Sequence, residues 1–339
     1  MTELTRRAFT ASALALGTTT LAAPLIAQNR VSLRVASFSA GVMNEFVIQP
    51  WIERVVADSE GTLDYQFFPG GVLGRNPGEQ LKLIQDGVAD IAFTVPDFTP
   101  GDLPSWSVYG MPNLFRNAAE GALTLRRAFD AGLLEQPEGV EMIAILGSAP
   151  NRIHSARPIS SLDDLAGLRI QAGNRLQLEG IARLGASPVA EVRGPEAAEA
   201  ISRGTIDAAT MDYAATRSFR VGEVTRHHLD LPMGGLSLAF PINSNTWNSL
   251  PDAARAAFQK HSFEAFSRSA GETLDAADTR IRAEQLALPD ANAMEITEAV
   301  RDDFAARLGD IETVWIDGNP GRQATYDGVL QILNEIRAG

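Results

Sequence analysis

"LIQDGVADIAF", Leu83–Phe93, sets a helix end, a glycine, an aspartate and an apolar strand within eleven residues. The helical run that leads into it from Gly78 stops at Gly87, since glycine takes up the left-handed conformation that ends a helix at little steric cost. From Ile91 to Val95 the side chains are small or apolar, as in a buried strand. Upstream, "VSLRVASFSAG" (Val31–Gly41) reads as a short strand that ends in small and polar residues. The run "NEFVIQPWIERVVADSEG" places Val47, Trp51 and Val55 four residues apart, which predicts a helix closed by Gly61, with Pro50 a second possible start. "TLDYQFFPGG" then alternates into a Pro-Gly-Gly turn. Strand, helix, strand, helix, strand is the grammar of an open α/β sheet.

The same order returns 117 residues later in "AISRGTIDAAT" (Ala200–Thr210), a weak internal repeat that predicts two similar α/β lobes. Two extended runs link them. "EMIAILGSAPNRIHSARPISS" carries a buried strand (Met142–Leu146) into a second extended stretch ending at Pro158, and "GGLSLAFPINSNTW" (Gly234–Trp247) runs back. Two crossings make a hinge. After Pro251 the pattern is almost all helical, with Asp252 as its N-cap and two more helices expected near 299–308 and 323–337. The expected division is 28–150 with about 237–280 for the first lobe, and 151–236 with about 281–339, including the C-terminal helices, for the second.

The chain begins "MTELTRRAFTASALALGTTTLAAPLIAQNR". Arg6 and Arg7, a small and apolar run to Ala23, and a cleavage position after Ala27 read as a twin-arginine-type signal peptide over residues 1–27. The whole chain of 339 residues has 29 basic and 42 acidic residues, a net charge of −13, and loss of the signal makes the balance one unit more acidic. Such a surface disfavours nucleic acid. The chain has no cysteine, which rules out disulfides, thiolate metal sites and a cysteine nucleophile. No later run is apolar enough for membrane insertion. A soluble, exported protein is expected.

The motifs of catalysis are missing. His154, His227, His228 and His261 lack metal-ligand spacing, so no metal or cofactor is assigned. "GGLSLA" has Ala239 where a nucleophile elbow needs a second glycine, and "GGVLG" lacks the spacing and lysine of a phosphate loop. An exported binder fits better than an enzyme.

Five segments, in order, carry a resemblance. They are "FFPGGVLGRNPGEQLKLIQDGVADIAF", "LPSWSVYGMPNLFRN", "RPISSLDDLAGLRI", "GASPVAEVRGPEAAEAISRGTIDAA" and "NSNTWNSLPDAARAAF". Together they resemble the DctP family, the solute-binding proteins of tripartite ATP-independent periplasmic (TRAP) transporters. The resemblance implies a two-lobed periplasmic-binding-protein-like α/β fold with hinge strands and a long helix spanning the lobes. It also implies a periplasmic protein that captures a small organic acid and hands it to the membrane permease subunits. Two alternatives are a binding protein that serves a sensor and an enzyme exported by the twin-arginine route.

The resemblance locates a site and a departure within it. The family's segment usually ends in an arginine that grips the solute carboxylate, and here that position is Gln171. A guanidinium offers two parallel donors and a permanent charge, whereas an amide is neutral. A hydrogen bond to a charged group contributes roughly 1.5–3 kcal/mol against roughly 0.5–1.5 for a neutral one. Strand alternation puts Arg169 on the same face as Gln171. Arg152 is expected as the remaining anchor, with Arg169 and Arg175 as lesser candidates. Where acid-binding relatives often have a side-chain amide, this chain has Met211, beside Asp212 and Tyr213. Phe38 and Val95 lie after strands, where ligands bind in open sheets, and Asn174 lies at the start of a helix. Trp106 and Tyr213 are candidates for stacking on a ring. These departures predict a monocarboxylate, aromatic or keto acid rather than a typical C4-dicarboxylate.

Overall fold

The computed structural model describes residues 30–339 except 100 and 318; the signal-peptide reading at 1–27 lies outside the described residues. The chain forms a two-lobed α/β fold built on two sheets. The first holds β1 (Val31–Ala36), β2 (Leu63–Phe68), β3 (Ile91–Ala92), β4 (Val140–Gly147) and the late strand β10 (Ser237–Asn243), in the order β2-β1-β3-β10-β4. The second holds β5 (Arg152–Ser155), β6 (Arg169–Gln171), β7 (Ser187–Val189), β8 (Ala208–Met211), β9 (His227–Leu229) and β11 (Asn292–Ala293), in the order β11-β9-β5-β8-β6-β7. β4 leads straight into β5, β10 returns from the second sheet to the first, and the chain then passes through the helices after β10 to β11 of the second sheet, so two of its crossings between the lobes are made by extended segments and a third by helix. Every residue of β10 is buried, and its register shifts between Phe240 and Ile242. The residue at the irregularity is Pro241, which has no N–H to give to a ladder.

The helices are α1 (Gln49–Ala57), α2 (Gln80–Gln85), α3 (Ala118–Asp130), α4 (Arg175–Arg183), α5 (Ala197–Ser202), α6 (Tyr213–Ser218), α7 (Ser244–Ser249), α8 (Asp252–His261), α9 (Phe263–Leu286), α10 (Glu298–Leu308), α11 (Ile311–Ile316) and α12 (Pro320–Ala338). The helix predicted around Trp51 opens with a π-helical turn, Met43–Ile48, before α1. Pro50 has no N–H for the carbonyl four residues back, and it sits where the π-helical turn meets α1, the kind of irregularity that goes with a missing helical bond. Trp51 packs edge-on against Phe258 and Phe266 in the first lobe's core. The strand expected to run to Val95 stops at Ala92; Thr94 makes only an isolated bridge to Ala239 before Pro96 opens a tight turn. Asp252 is the first helical residue of α8, and Pro251 takes the cap position.

The internal repeat extends to side-chain chemistry. After Gly87 (φ +70°), the Asp90 carboxylate accepts both the backbone N–H and the guanidinium of Arg34 on β1. After Gly204 (φ +68°), Asp207 does the same for Arg169 on β6. β3 pairs parallel with β1, and β8 with β6. Each aspartate thereby ties a helix–glycine–strand junction to the neighbouring parallel strand.

α9 links the lobes. At about 1.5 Å per residue, its 24 residues extend about 36 Å. Its Asp275 accepts the N–H groups of Ala118 and Ala119 at the start of α3 (2.7 and 3.0 Å). One turn on, Asp278 accepts that of Tyr213 at the start of α6 (2.7 Å). One helix thus presents a carboxylate to a helix N-terminus in each lobe, where negative charge is favoured. Its approach to α3 depends on Gly271, because a Cβ there would lie 2.6 Å from the Ala119 Cα. α10 and α11 pack on α4, and α12 on α3.

Candidate solute site

Where the strands of both sheets end, a cavity of about 370 Å³ opens between the lobes. The first lobe supplies an aromatic wall. Phe38, just after β1, stacks on Phe93, just after β3, at 4.7 Å between ring centres, and Phe93 stacks in turn on buried Phe240 at 5.3 Å. Phe38, Phe93, Val95 and Phe98 all line the cavity, with Leu236 and Leu238 from the return crossing.

The second lobe supplies most of the polar groups. β6 delivers Gln171 and β8 delivers Thr210, Met211 and then Asp212. Gln171 and Thr210 are each 3% exposed, and neither Gln171 Oε1 nor Thr210 Oγ1 has a hydrogen-bond partner among the described residues. Buried polar atoms are rarely left so, and unpartnered ones on a cavity wall mark where a ligand bonds. Asp212 caps α6 through Oδ1, which accepts the Ala215 N–H at 2.6 Å. Burial, together with the neighbouring Asp278 charge, pushes its acid group up to about 7.

Of the residues singled out in the sequence, Phe38, Val95, Gln171, Met211 and Asp212 therefore meet at the cavity, whereas Arg152, Asn174 and Tyr213 are not part of its lining. Arg152 lies behind the wall, 3.4 Å from Asp278 and 3.7 Å from Asp230, with its guanidinium over the Tyr213 ring. Tyr213 is fully buried and its hydroxyl donates to Asp230 at 2.7 Å. Burial raises the Tyr213 phenol well above its ordinary range. Asn174 caps α4 by accepting from the Gln177 N–H (3.0 Å) and donates to the Gly235 carbonyl (3.2 Å), so it fastens a crossing segment. Trp106 is buried with its indole N–H on the Glu135 carbonyl. Arg169 points to solvent in its pair with Asp207, and Arg175 is an exposed first residue of α4.

Arg193 is the cation that lines this cavity, and its position was not read from the sequence. It sits exposed in the turn between β7 and α5, with Nη1 3.4 Å from Asn76 Oδ1 of the first lobe. The only sequence signal was its place in "EVRGPE", inside a segment read for its glycines and apolar residues. Asn151, one residue before Arg152, lines the cavity and is 4% exposed.

Behind Met211 lies a histidine pair. His154 Nε2 is 3.0 Å from the Met211 carbonyl, an acceptor, so Nε2 carries the proton. His154 Nδ1 must then accept from His228 Nδ1, 2.8 Å away. Burial lowers His154 to about 3 and His228 to about 4, which keeps both neutral. They brace β8 and belong to the core. Among the described residues, no cluster of histidine, aspartate or glutamate has the form of a metal site.

Two lobes, a hinge crossed by strands and a cavity between the strand ends define a solute-binding protein. The family model "Bacterial extracellular solute-binding protein, family 7" (DctP) matches residues 40–312, and the chain belongs to that family. It is 27% identical over 185 residues to the uncharacterised protein YiiZ of Salmonella typhimurium, covering 52% of this chain and 55% of that protein. The chain thus spans about half the length of that curated relative. It is 25% identical over 255 residues to the C4-dicarboxylate-binding periplasmic protein DctP of Rhodobacter capsulatus, covering 73% of this chain and 74% of the relative. Among solved structures, a marine metagenome TRAP solute-binding protein from an unidentified microbe, specific for aromatic acids and co-crystallised with 3-hydroxybenzoate, superposes with a TM-score of 0.83. It is 24% identical, over 90% of this chain and 98% of that one.

Proposed function

We propose that this protein captures a small monocarboxylic acid with an aromatic or otherwise apolar body and delivers it to the membrane permease of a TRAP transporter. The lobes, divided as the sequence suggests except that α12 packs on α3 of the first, would close over the solute. The observation that carries this reading is the cavity wall: Phe38, Phe93, Phe98, Leu236 and Leu238 face a few buried polar groups, and the lining cation, Arg193, stands exposed at its edge. Covering an aromatic ring of about 150 Å² contributes about 4 kcal/mol. A C4-dicarboxylate has no such body, and each of its two charges costs several kcal/mol to bury without a cation.

The likeness to the aromatic-acid-binding structure supports this reading, and the Rhodobacter relative points the other way. The cavity lining, whose groups are this chain's own, supports the first. Periplasmic residence fits the family, and export by the twin-arginine route follows from Arg6 and Arg7.

The test is a thermal-shift screen of the mature chain against an organic-acid library. A solute that binds only the folded state raises the melting temperature, by about 2.7 kcal/mol of stability at a hundred times Kd. Aromatic and branched monoacids are expected to give the largest shifts. Shifts confined to C4-dicarboxylates, or to compounds without an acid group, contradict the reading.

A further inference from the structure

The cavity's buried carboxyl has no cation of its own. Asp275 and Asp278 of α9 and Arg152 of β5 act on Asp212, and Arg152 in turn reaches Asp230, which follows β9 and also holds Arg282 of α9. Two guanidiniums therefore serve four carboxyls. Arg152 lies within ion-pair distance of Asp230 and Asp278, Arg282 pairs with Asp230 at 2.8 Å, and among the described residues no ion pair reaches Asp212. Asp275 and Asp278 are further held by backbone N–H groups, and the His154–His228 pair behind Met211 is neutral. Asp212 Oδ1 is committed to Ala215, and on the same cavity wall stand the unpartnered atoms Gln171 Oε1 and Thr210 Oγ1.

A solute carboxylate brought to this wall meets a carboxyl group with no cation between them. Two carboxylates in one buried site cannot both stay ionised. We propose that Asp212 is the specificity-determining residue that receives the solute's acid group as a carboxyl–carboxylate pair sharing one proton, so that solute binding is coupled to proton uptake. This rests on the organic-acid reading above. The balance is simple: solute carboxylate and Asp212 carboxylate, plus one proton from solvent, give a single hydrogen-bonded pair of charge −1. Where Asp212 already holds its proton, none is taken up. A dicarboxylate brings a second charge for which this wall has neither a second proton nor a buried cation, Arg193 standing exposed at the cavity's edge, so the device selects monoacids.

The experiment is calorimetry of the mature protein with 3-hydroxybenzoate, using benzamide as the neutral probe, in buffer pairs of different ionisation enthalpy. Expected uptake is close to one proton at pH 8.5 and close to none at pH 5.5. With Asp212 titrating near 7, affinity falls about tenfold per pH unit above that value. Asp212→Asn keeps an oxygen for the Ala215 cap and adds an N–H₂ donor, so it is expected to bind the acid with no proton uptake and with affinity flat in pH. Binding by the wild type at pH 8.5 without uptake overturns this proposal and leaves the organic-acid reading standing, as does uptake that survives in Asp212→Asn. Should the variant not fold, the wild-type proton count decides alone. Tighter binding of benzamide than of the acid, or binding of neither, overturns the organic-acid reading and this proposal with it.

Discussion

Arg152→Met is expected to lower stability by about 3–5 kcal/mol while leaving the order of solute preference unchanged. The guanidinium is mostly buried, at 19% exposure, and balances Asp278, which is 8% exposed, and in part Asp230. Asp230 keeps Arg282 and the Tyr213 hydroxyl, which together hold its carboxyl below the ordinary range in spite of burial. Asp278 keeps only backbone N–H groups, and burial already raises it against the pull of Arg152. Removing the cation raises it further. A carboxyl whose folded-state pKa is raised gives most to stability when protonated and loses that contribution as pH rises through the raised value. The deficit of Arg152→Met should therefore be larger at pH 7.5 than at pH 5, and urea denaturation at the two values measures it. An unchanged midpoint with abolished solute binding would instead mean that Arg152 touches the solute.

Phe93→Ala is expected to act on stability and binding together. Phe93 is 5% exposed and stands between Phe38 and Phe240, so truncation leaves a gap in the stack and costs about 3–5 kcal/mol. It also removes the face against which an apolar solute packs, a loss of about 1.5–3 kcal/mol, or roughly ten- to a hundredfold in Kd. Phe93→Leu separates the two effects, because it refills much of the volume without restoring a flat ring. Its melting temperature should recover most of the loss, while its affinity for an aromatic acid should not. Equal affinities for the wild type and Phe93→Leu would place the solute away from this wall.

The lobes could be read from the sequence because their signals are local. A helix, a glycine, an aspartate and an apolar strand need no distant partner to be recognised, and the repeat at Leu83–Phe93 and Ala200–Thr210 carries even the matched pairs Asp90–Arg34 and Asp207–Arg169. The cavity residues Phe38, Val95, Gln171, Met211 and Asp212 were reachable because open sheets present their ligands at strand ends. Arg152 shows where such reading stops. Its surroundings are Asp230 and Asp278, 78 and 126 residues away, and nothing in spacing says which of 42 acidic residues will face it. Asn174 and Tyr213 are turned from the cavity for the same reason, by bonds to Gly235 and Asp230. Arg193 sits in a turn, where no periodicity fixes the direction of a side chain.

The central claim is that this cavity holds an apolar-bodied monoacid, and the most direct measurement is a calorimetric comparison of 3-hydroxybenzoate with succinate on the mature protein at pH 6. The predicted result is that 3-hydroxybenzoate binds at least about a hundredfold more tightly, because its ring covers the Phe38–Phe93 wall and succinate has no apolar body to put there. Succinate binding as tightly as 3-hydroxybenzoate, or more tightly, would contradict it.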